Sequence, residues 1–550
     1  MTSFQNIIIG AGPAGIQLAY YFKEEGIPYI ILEKTQMCGS FFNTFPLSGK
    51  LISINKKYTG NDYSDFNLRH DWNSLISDND DLLFTKYSED YYPDHNDLVR
   101  YLNDYAKVND LNIKYGITVK KVKKEETYDY ILMTIDKDNN EVEYKCKKLI
   151  VATGLSKPNM PNILMNVKDK IKHYADFEKD YFKNKENLEK YKNKSLIIFG
   201  NGNAAYELGN LLNPLCSRIS ILGKKSKDWS ISSHYTGDLR SIYLPFLDTF
   251  LLKSLNSFDH TNVSLKITQD SSNSEYSISY YYQINGLIEE QPIYSMSNFD
   301  HVIFCTGWKF DNSIFDFDVE MTSNDKYPII KPHFESNNNK NLYFIGSLMH
   351  SLDFKKSSGG FIHGFRYLIK NFVNINYEIG FDINVFKGNY LNSLVKQMYH
   401  KINYTSPMYQ MYGQIVDFFF FDKEAHEIVY YNDVSINLLL NGYFKMNTDK
   451  LFIFSLEYNK RLITDIHGFD NKLSSIGDEC SASLLHPILR IYNYLEENFL
   501  ELNYSSLESD NKVLKSLLID EIHFDEDTYA NFKNFSKYYE KLFRTLKMFL

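Results

Sequence analysis

Ile7-Ile-Ile-Gly-Ala-Gly-Pro-Ala-Gly15 and, from Gly10 to Gly200 a further 190 residues on, Leu196-Ile-Ile-Phe-Gly-Asn-Gly-Asn-Ala-Ala205 decide the fold. Each is an apolar run, a glycine turn and then an alanine- and leucine-rich helical pattern. That order predicts a strand, a tight turn and a helix whose N-terminus receives a pyrophosphate. One such unit suits a dehydrogenase; two argue for electrons passing from one dinucleotide to another. Gly10, Gly12 and Gly15 supply the tight turn, the backbone approach to a diphosphate and the close helix–strand contact.

Working outward, Tyr29-Ile-Ile-Leu-Glu33 predicts a second strand that ends in an acid 23 residues beyond Gly10, where a ribose hydroxyl pair needs an acceptor. The alternating stretches Tyr128–Ile135 and Glu141–Tyr144 predict an antiparallel ribbon, and Leu149-Ile-Val-Ala-Thr-Gly154 a buried strand closing the unit. Pro158 and Pro161 break the chain, and a lysine-rich stretch at Lys183–Lys194 leads to the second glycine turn. Val302-Ile-Phe-Cys-Thr-Gly307 then nearly repeats 149–154, which predicts two related folds, one inserted in the other. Asn341-Leu-Tyr-Phe-Ile-Gly346 and Ser357–Leu368, helical after Gly360, return the chain to the first.

The expected fold class is α/β: two Rossmann-like dinucleotide-binding domains, the second inserted in the first, plus a C-terminal α+β region. The expected boundaries are 1–158 (first part of the first dinucleotide domain), 159–310 (second dinucleotide domain), 311–375 (second part of the first) and 376–550 (cap or dimerisation region). In the last, alternation around Phe418–Tyr431 and Leu451–Tyr458 predicts strands, and the tail from Asp525 a helix.

A chain of 550 residues holds several domains and a sizeable core. Acidic residues outnumber basic ones 69 to 60, for a formal charge of −9, which argues against a polyanion-binding surface and hence against nucleic acid. The five cysteines (Cys38, Cys146, Cys216, Cys305, Cys480) form no close pair, so the dithiol of a disulfide reductase is missing. The first strand begins too near Met1 for a signal peptide, and no apolar run reaches the ~18 residues of a spanning helix. The expectation is a cytoplasmic protein with no membrane partner, its oligomeric state left open.

Glu33 suits the adenosine ribose of FAD or NAD and disfavours a 2′-phosphate. In the second unit the same offset from Gly200 lands on Gly223, followed by Lys224 and Lys225. A missing carboxylate beside two ammonium groups is what a ribose 2′-phosphate requires, so NADPH is expected there, a solvated lysine pair being the alternative. Ser357–Gly360, at a helix start, offer backbone N–H groups and the positive helix end to a ligand, or simply a cap. The expected cofactor contacts are Gly10, Gly12, Ala14, Gly15, Glu33, Lys34, Ser40, Phe41, Thr153, Gly154, Gly200, Gly202, Asn203, Ala204, Lys224, Lys225, Thr306, Gly307, Gly346, Ser358, Gly359 and Gly360; no metal site is expected.

Together with Lys50–Gly60, Phe66–Ser74, Tyr235–Arg240, Asp353–Tyr367 and Leu485–Leu489, these residues resemble the flavin-containing monooxygenase family of two-dinucleotide-domain flavoproteins. The resemblance is greatest to the branch of the ER flavoprotein associated with degradation and its bacterial homologues. It implies FAD and NADPH as cofactors, and O₂ and a small nucleophile, such as an amine or amino-acid nitrogen, as substrates, oxygen passing through a flavin C4a-(hydro)peroxide. Halogenation through the same peroxide, or a redox-assisting role on protein partners, are the alternatives. It further implies Asn55 as the residue that helps hold the peroxide and His363 as a contact of the flavin or substrate. The oxygenase fingerprint is half present: His173 and Phe177 fit, whereas Val167 and Asp169 depart from it. Lys355 and Lys356 are candidates for a carboxylate or phosphate. Ser347 replaces the usual ribityl-binding aspartate, for which Asp353 is the candidate substitute.

Overall fold

The computed structural model describes residues 2–126, 129–160, 171–253, 257–261, 263–269, 276–284, 287–288, 294–297, 299–388, 390–458, 485–494, 517–523 and 535–550. Tyr128, Pro161, Val167, Asp169, Cys480 and the stretch 525–534 of the expected C-terminal helix lie outside them.

The first sheet is built from β1 (Thr2–Ile9), β2 (Ile30–Glu33), β3 (Ile113–Tyr115), β4 (Thr118–Glu125), β5 (Asp129–Ile135) and β6 (Glu141–Val151), in the order β3-β2-β1-β6-β5-β4. Ile7 pairs in parallel with Ile30 on one side and Leu149 on the other, so Ile7 and Ile8 are fully buried. A central parallel strand covered on both faces needs such an unbroken apolar run. β5 and β6 form the expected antiparallel ribbon.

The chain then crosses through β7 (Lys157–Pro158) into an all-parallel second sheet, which has β8 (Ile171–His173), β9 (Ser195–Phe199), β10 (Arg218–Leu222) and β11 (Ser257–His260). A small antiparallel sheet of β12 (Val263–Gln269), β13 (Tyr276–Ile284), β14 (Leu287–Ile288) and β15 (Tyr294–Ser297) follows. β16 (His301–Phe304) completes the second sheet beside β9, and β17 (Trp308–Lys309) pairs antiparallel with β7. β18 (Leu342–Phe344) rejoins the first sheet, Leu342 opposite Leu149. The second dinucleotide fold is thus inserted in the first, with outgoing and returning strands paired at the crossing.

In the C-terminal region β19 (Ile383–Phe386), β20 (Ile415–Asp422), β21 (Glu427–Ser435), β22 (Lys450–Glu457), β23 (His486–Asn493) and β24 (Leu518–His523) form one antiparallel sheet, ordered β19-β21-β20-β22-β23-β24. Phe419 and Phe452 face the core shared with the first dinucleotide fold, whereas Phe418 and Phe420 face a second cluster with Leu438 and Leu451. Both faces are covered, which explains the run of four phenylalanines at 418–421.

Six helices position the site: α1 (Pro13–Glu24), α2 (His95–Val108), α3 (Asn203–Leu212), α4 (Ile362–Asn376), α5 (Tyr390–Tyr404) and α6 (Phe535–Phe549). Among the described residues no helix is long and apolar enough to cross a membrane.

Candidate nucleotide sites and active-site cavity

The two glycine turns share one geometry. Gly10 (φ +102°) and Gly200 (φ +123°) adopt backbone that L side chains rarely reach, and a β-carbon on either would press on a strand carbonyl, that of Ala152 or Cys305. Gly12 and Gly202 are the N-caps of α1 and α3, neither helix has a side-chain cap, and the space before both glycines is open. Free N–H groups beside open space at the positive end of a helix fit a diphosphate. The third positions serve packing: a β-carbon on Gly15 would collide with the Gly10 carbonyl, and Ala205 is fully buried.

Glu33, nearly buried at the end of β2, accepts from Ala11 N at 2.8 Å, from Thr35 N at 2.9 Å and from Thr35 Oγ1 at 2.8 Å. A carboxylate has roughly four lone-pair directions, so one is left for a ribose hydroxyl. Lys34 and Phe41 are exposed, Ser40 and Thr153 half-buried, and the Phe41 ring packs on Phe42, Phe45 and Trp308. Ala14 sits under the Gly346 turn (φ +71°), while Gly154 (φ +62°) faces Ser347.

In the inserted fold, Gly223 is buried against the Asn201 side chain, whose amide donates to the Lys225 carbonyl at 2.7 Å; Lys224 and Lys225 are exposed beside it. The Asn203 side chain is engaged within the protein. Its side chain donates to Asp238 O and accepts from Arg240 N, clamping the 235–240 loop and leaving only its backbone for a nucleotide, next to the half-buried Ala204. The Thr306 hydroxyl is likewise committed, to Asn159 O at the crossing, while Gly307 (φ +79°) is open.

Ser357 and Ser358 do not cap α4. Its N-cap is Phe361, with no side-chain cap, so the helix end remains open to a ligand. Gly359 and Gly360 are required here by packing, since β-carbons would press on Asp353 and His350. Asp353 is not available as a ribityl contact: one oxygen meets His350 Nδ1 at 2.7 Å and the other accepts Gly359 N at 2.7 Å. Lys355 is also committed, pairing with Asp228 and Asp238 of the inserted fold.

Beside this helix end lies a cavity of about 370 Å³. The first fold contributes Ile54, His70, Trp72, Ser358 and His363; the inserted fold contributes His234, Tyr235 and Arg240; the C-terminal region contributes Tyr409, Gln410, Tyr412 and Tyr458. His363 lies on its wall, stacked on Trp72 at 4.5 Å, with its Nε2 unpartnered. Burial, then Arg366 and Arg240, hold its pKa well below the usual 6.5. Asn55 does not line the cavity: its amide donates to the Ser88 and Asp90 carbonyls, which tie the 52–56 segment to its neighbour. His173 lies away from it as well, closing a capping box with Asp176 and meeting Trp308 edge-on.

The loop bearing His70 and Trp72 is pinned from behind. Fully buried Arg366 donates to the Leu68, Asp71 and Ser74 carbonyls, and Gln410 to those of Leu68 and Arg69. Arg69 turns its guanidinium to the Ile402 and Thr405 carbonyls at the end of α5. Trp72, Tyr235 and Arg240 were not singled out from the sequence as site residues, although all three stand in segments that carry the family resemblance.

The described cysteines are free thiols. None is disulfide-bonded; burial pushes the Cys38 thiol up to about 11 and that of Cys216 up to about 12, with Cys146 and Cys305 also raised. The thiolate is the reactive form, and burial disfavours it at all four near neutrality.

The pyridine nucleotide-disulphide oxidoreductase family profile matches residues 7–346. FAD-dependent oxidoreductase domain-containing protein 2 of Mus musculus is 31% identical over 523 residues, 89% of this chain and 76% of its own length. Its Danio rerio counterpart is 30% identical over 540 residues, 90% of this chain and 76% of its own. The FAD-bound cadaverine monooxygenase DfoA of Erwinia amylovora has the same fold over 68% of this chain and 95% of its own, with a TM-score of 0.50 at 14% identity. Paired glycine turns, an inserted second fold and this breadth of similarity lead to one conclusion: the chain belongs to the pyridine nucleotide-disulphide oxidoreductase family and is an FAD-dependent oxidoreductase.

Proposed function

We propose that the protein is an NADPH-consuming flavin monooxygenase whose substrate is a small, flat, neutral or anionic molecule held in the cavity. The supporting observation is the cavity itself, which lies beside the uncapped start of α4 and is walled by both dinucleotide folds and the C-terminal region. Among the described residues no aspartate or glutamate lines it. Burial lowers the pKa of His70, His234 and His363, which disfavours their charged forms, and Arg240 has no carboxylate partner among the described residues. An ammonium group would find no counter-charge here, which narrows the expected amine to its neutral form and favours a carboxylate or phenol over it.

FAD would lie along α1 with its diphosphate at Gly12 and its ribose at Glu33, and NADPH along α3 at Gly202 with its 2′-phosphate near Lys224 and Lys225. The flavin supplies electron transfer and oxygen activation. The protein's own part is to orient and to dry: Arg366 and Gln410 fix the Trp72 loop, while Tyr412 and Tyr458 close the far wall.

The test is anaerobic reduction of the purified yellow protein by NADPH, followed by rapid mixing with O₂. A transient absorbance distinct from oxidised and reduced flavin supports oxygenation. Immediate reoxidation with stoichiometric release of hydrogen peroxide rejects it.

A further inference from the structure

Three residues that the nucleotide sites do not use form a hydrogen-bonded line from the cavity wall inward. The Tyr235 hydroxyl is 2.6 Å from His350 Nε2, and His350 Nδ1 is 2.7 Å from Asp353 Oδ1. All are buried, at 6%, 2% and 0% exposure. A carboxylate accepts and does not donate, so His350 carries its hydrogen on Nδ1 and offers the Nε2 lone pair to Tyr235. The tyrosine hydroxyl therefore donates inward, and its oxygen keeps an unused acceptor position on a residue that lines the cavity.

Packing holds the line in place. The Tyr235 and His350 rings lie within 15° of parallel, and Tyr327, Phe354 and Phe361 meet His350 edge-on. The nearby charges on Lys355, Asp228 and Asp238 are paired with one another. The line joins Tyr235 of the inserted fold to His350 and Asp353 of the first, two segments 115 residues apart.

We propose that Tyr235 is an acid–base residue of the cavity, positioned by His350 and Asp353, and that the substrate surrenders a proton from an O–H, N–H or S–H group as it reacts. The substrate's bond to hydrogen breaks as the Tyr235 oxygen takes that hydrogen. The Tyr235 O–H bond breaks as His350 Nε2 takes the other, and the imidazolium so formed rests against Asp353. One proton leaves the substrate, one arrives at His350, and no electrons change hands; the reverse delivers a proton. Burial, then Tyr327 and Asp353, raise the phenol well above the ordinary tyrosine range, so the hydroxyl works as a bridge rather than as a stored base.

This inference rests on the cavity being the substrate site, and its test separates the two. Tyr235→Phe and His350→Gln are made in the FAD-loaded full chain, and 4-nitrophenol, a flat phenol whose ionisation is visible in absorbance, is titrated with pH while bound. Wild-type protein is expected to raise the acidity of the bound probe about tenfold or more, one pKa unit. Both variants are expected to bind it with the acidity of the free probe, at unchanged FAD content, and the double variant to behave like either single one. A Tyr235→Phe protein matching wild type, or a wild type that does not bind the probe, overturns the proposal. If His350→Gln loses FAD, Tyr235→Phe, which removes one oxygen atom, decides alone. Flavin reduction by NADPH, measured on the same samples, is independent: its failure alongside a raised probe acidity sinks the NADPH reading and leaves the relay standing.

Discussion

The side chain of Asn201 fills the space in front of Gly223, so that a β-carbon at Gly223 would overlap its carboxamide. An acid in the position that Glu33 holds in the first fold would therefore meet the Asn201 side chain in the second, and the next charges along the chain are Lys224 and Lys225. Replacing both lysines with alanine is expected to raise KM for NADPH about tenfold or more, with little change for NADH. Steady-state flavin reduction with each nucleotide checks this; equal losses with both would reject a 2′-phosphate site.

Gly12→Ala and Gly15→Ala separate binding from packing. The first adds a methyl group to open space and should leave apoprotein stability within about 0.5 kcal/mol while weakening FAD binding. The second drives a methyl group into the Gly10 carbonyl and should destabilise the fold itself. Denaturant unfolding of apoprotein, set beside flavin content, distinguishes them.

Arg366→Met should cost about 2–5 kcal/mol, because the buried Asp71 and Ser74 carbonyls lose their donor and the Leu68 carbonyl keeps only Gln410. The loop carrying His70 and Trp72 would loosen with it. A variant as stable as wild type in thermal unfolding would show that the guanidinium is dispensable.

His363 makes the fold sensitive to acid. The unfolded chain takes up a proton near pH 6.5 that the folded chain, with this group's pKa depressed, refuses. Its contribution is complete above pH 6.5 and falls as pH drops toward the folded value, by up to about 1.4 kcal/mol per pH unit. His363→Gln should flatten the fall in stability between pH 6.5 and 5; an unchanged slope would mean that the loss lies with His70, His173, His234, His301 or His400, which burial shifts the same way.

Iodoacetamide at pH 7.5 should leave Cys38, Cys146, Cys216 and Cys305 unmodified in the folded protein and flavin reduction unaffected. Peptide mapping reads each thiol separately. Rapid alkylation of any of the four with loss of electron transfer would restore a thiol-based reaction.

The glycine turns were legible because the diphosphate-binding turn depends on local backbone: Gly10 and Gly200 need positive φ, and Gly12 and Gly202 need no side chain. The same holds for the strands, whose burial on both faces of a parallel sheet is written as Ile7–Ile9 and Leu196–Phe199. The side chains of Asn203 and Asp353 suit a ligand by type, yet each meets a protein partner that local pattern does not announce, Arg240 from 37 residues away and His350 within the same turn. Asn55 stands one residue from the cavity-lining Ile54, and its amide turns to the Ser88 and Asp90 carbonyls instead.

By itself the sequence determined two dinucleotide folds, the insertion of one in the other, and the want of a close cysteine pair, since each follows from short-range spacing. Only the tertiary structure decided what the cavity is made of. Trp72, Tyr235, His363 and Tyr412 come from stretches of chain up to 340 residues apart, and no local pattern records which side chains such stretches bring together. Their charge and hydrogen bonds exist only once burial has removed water from between them.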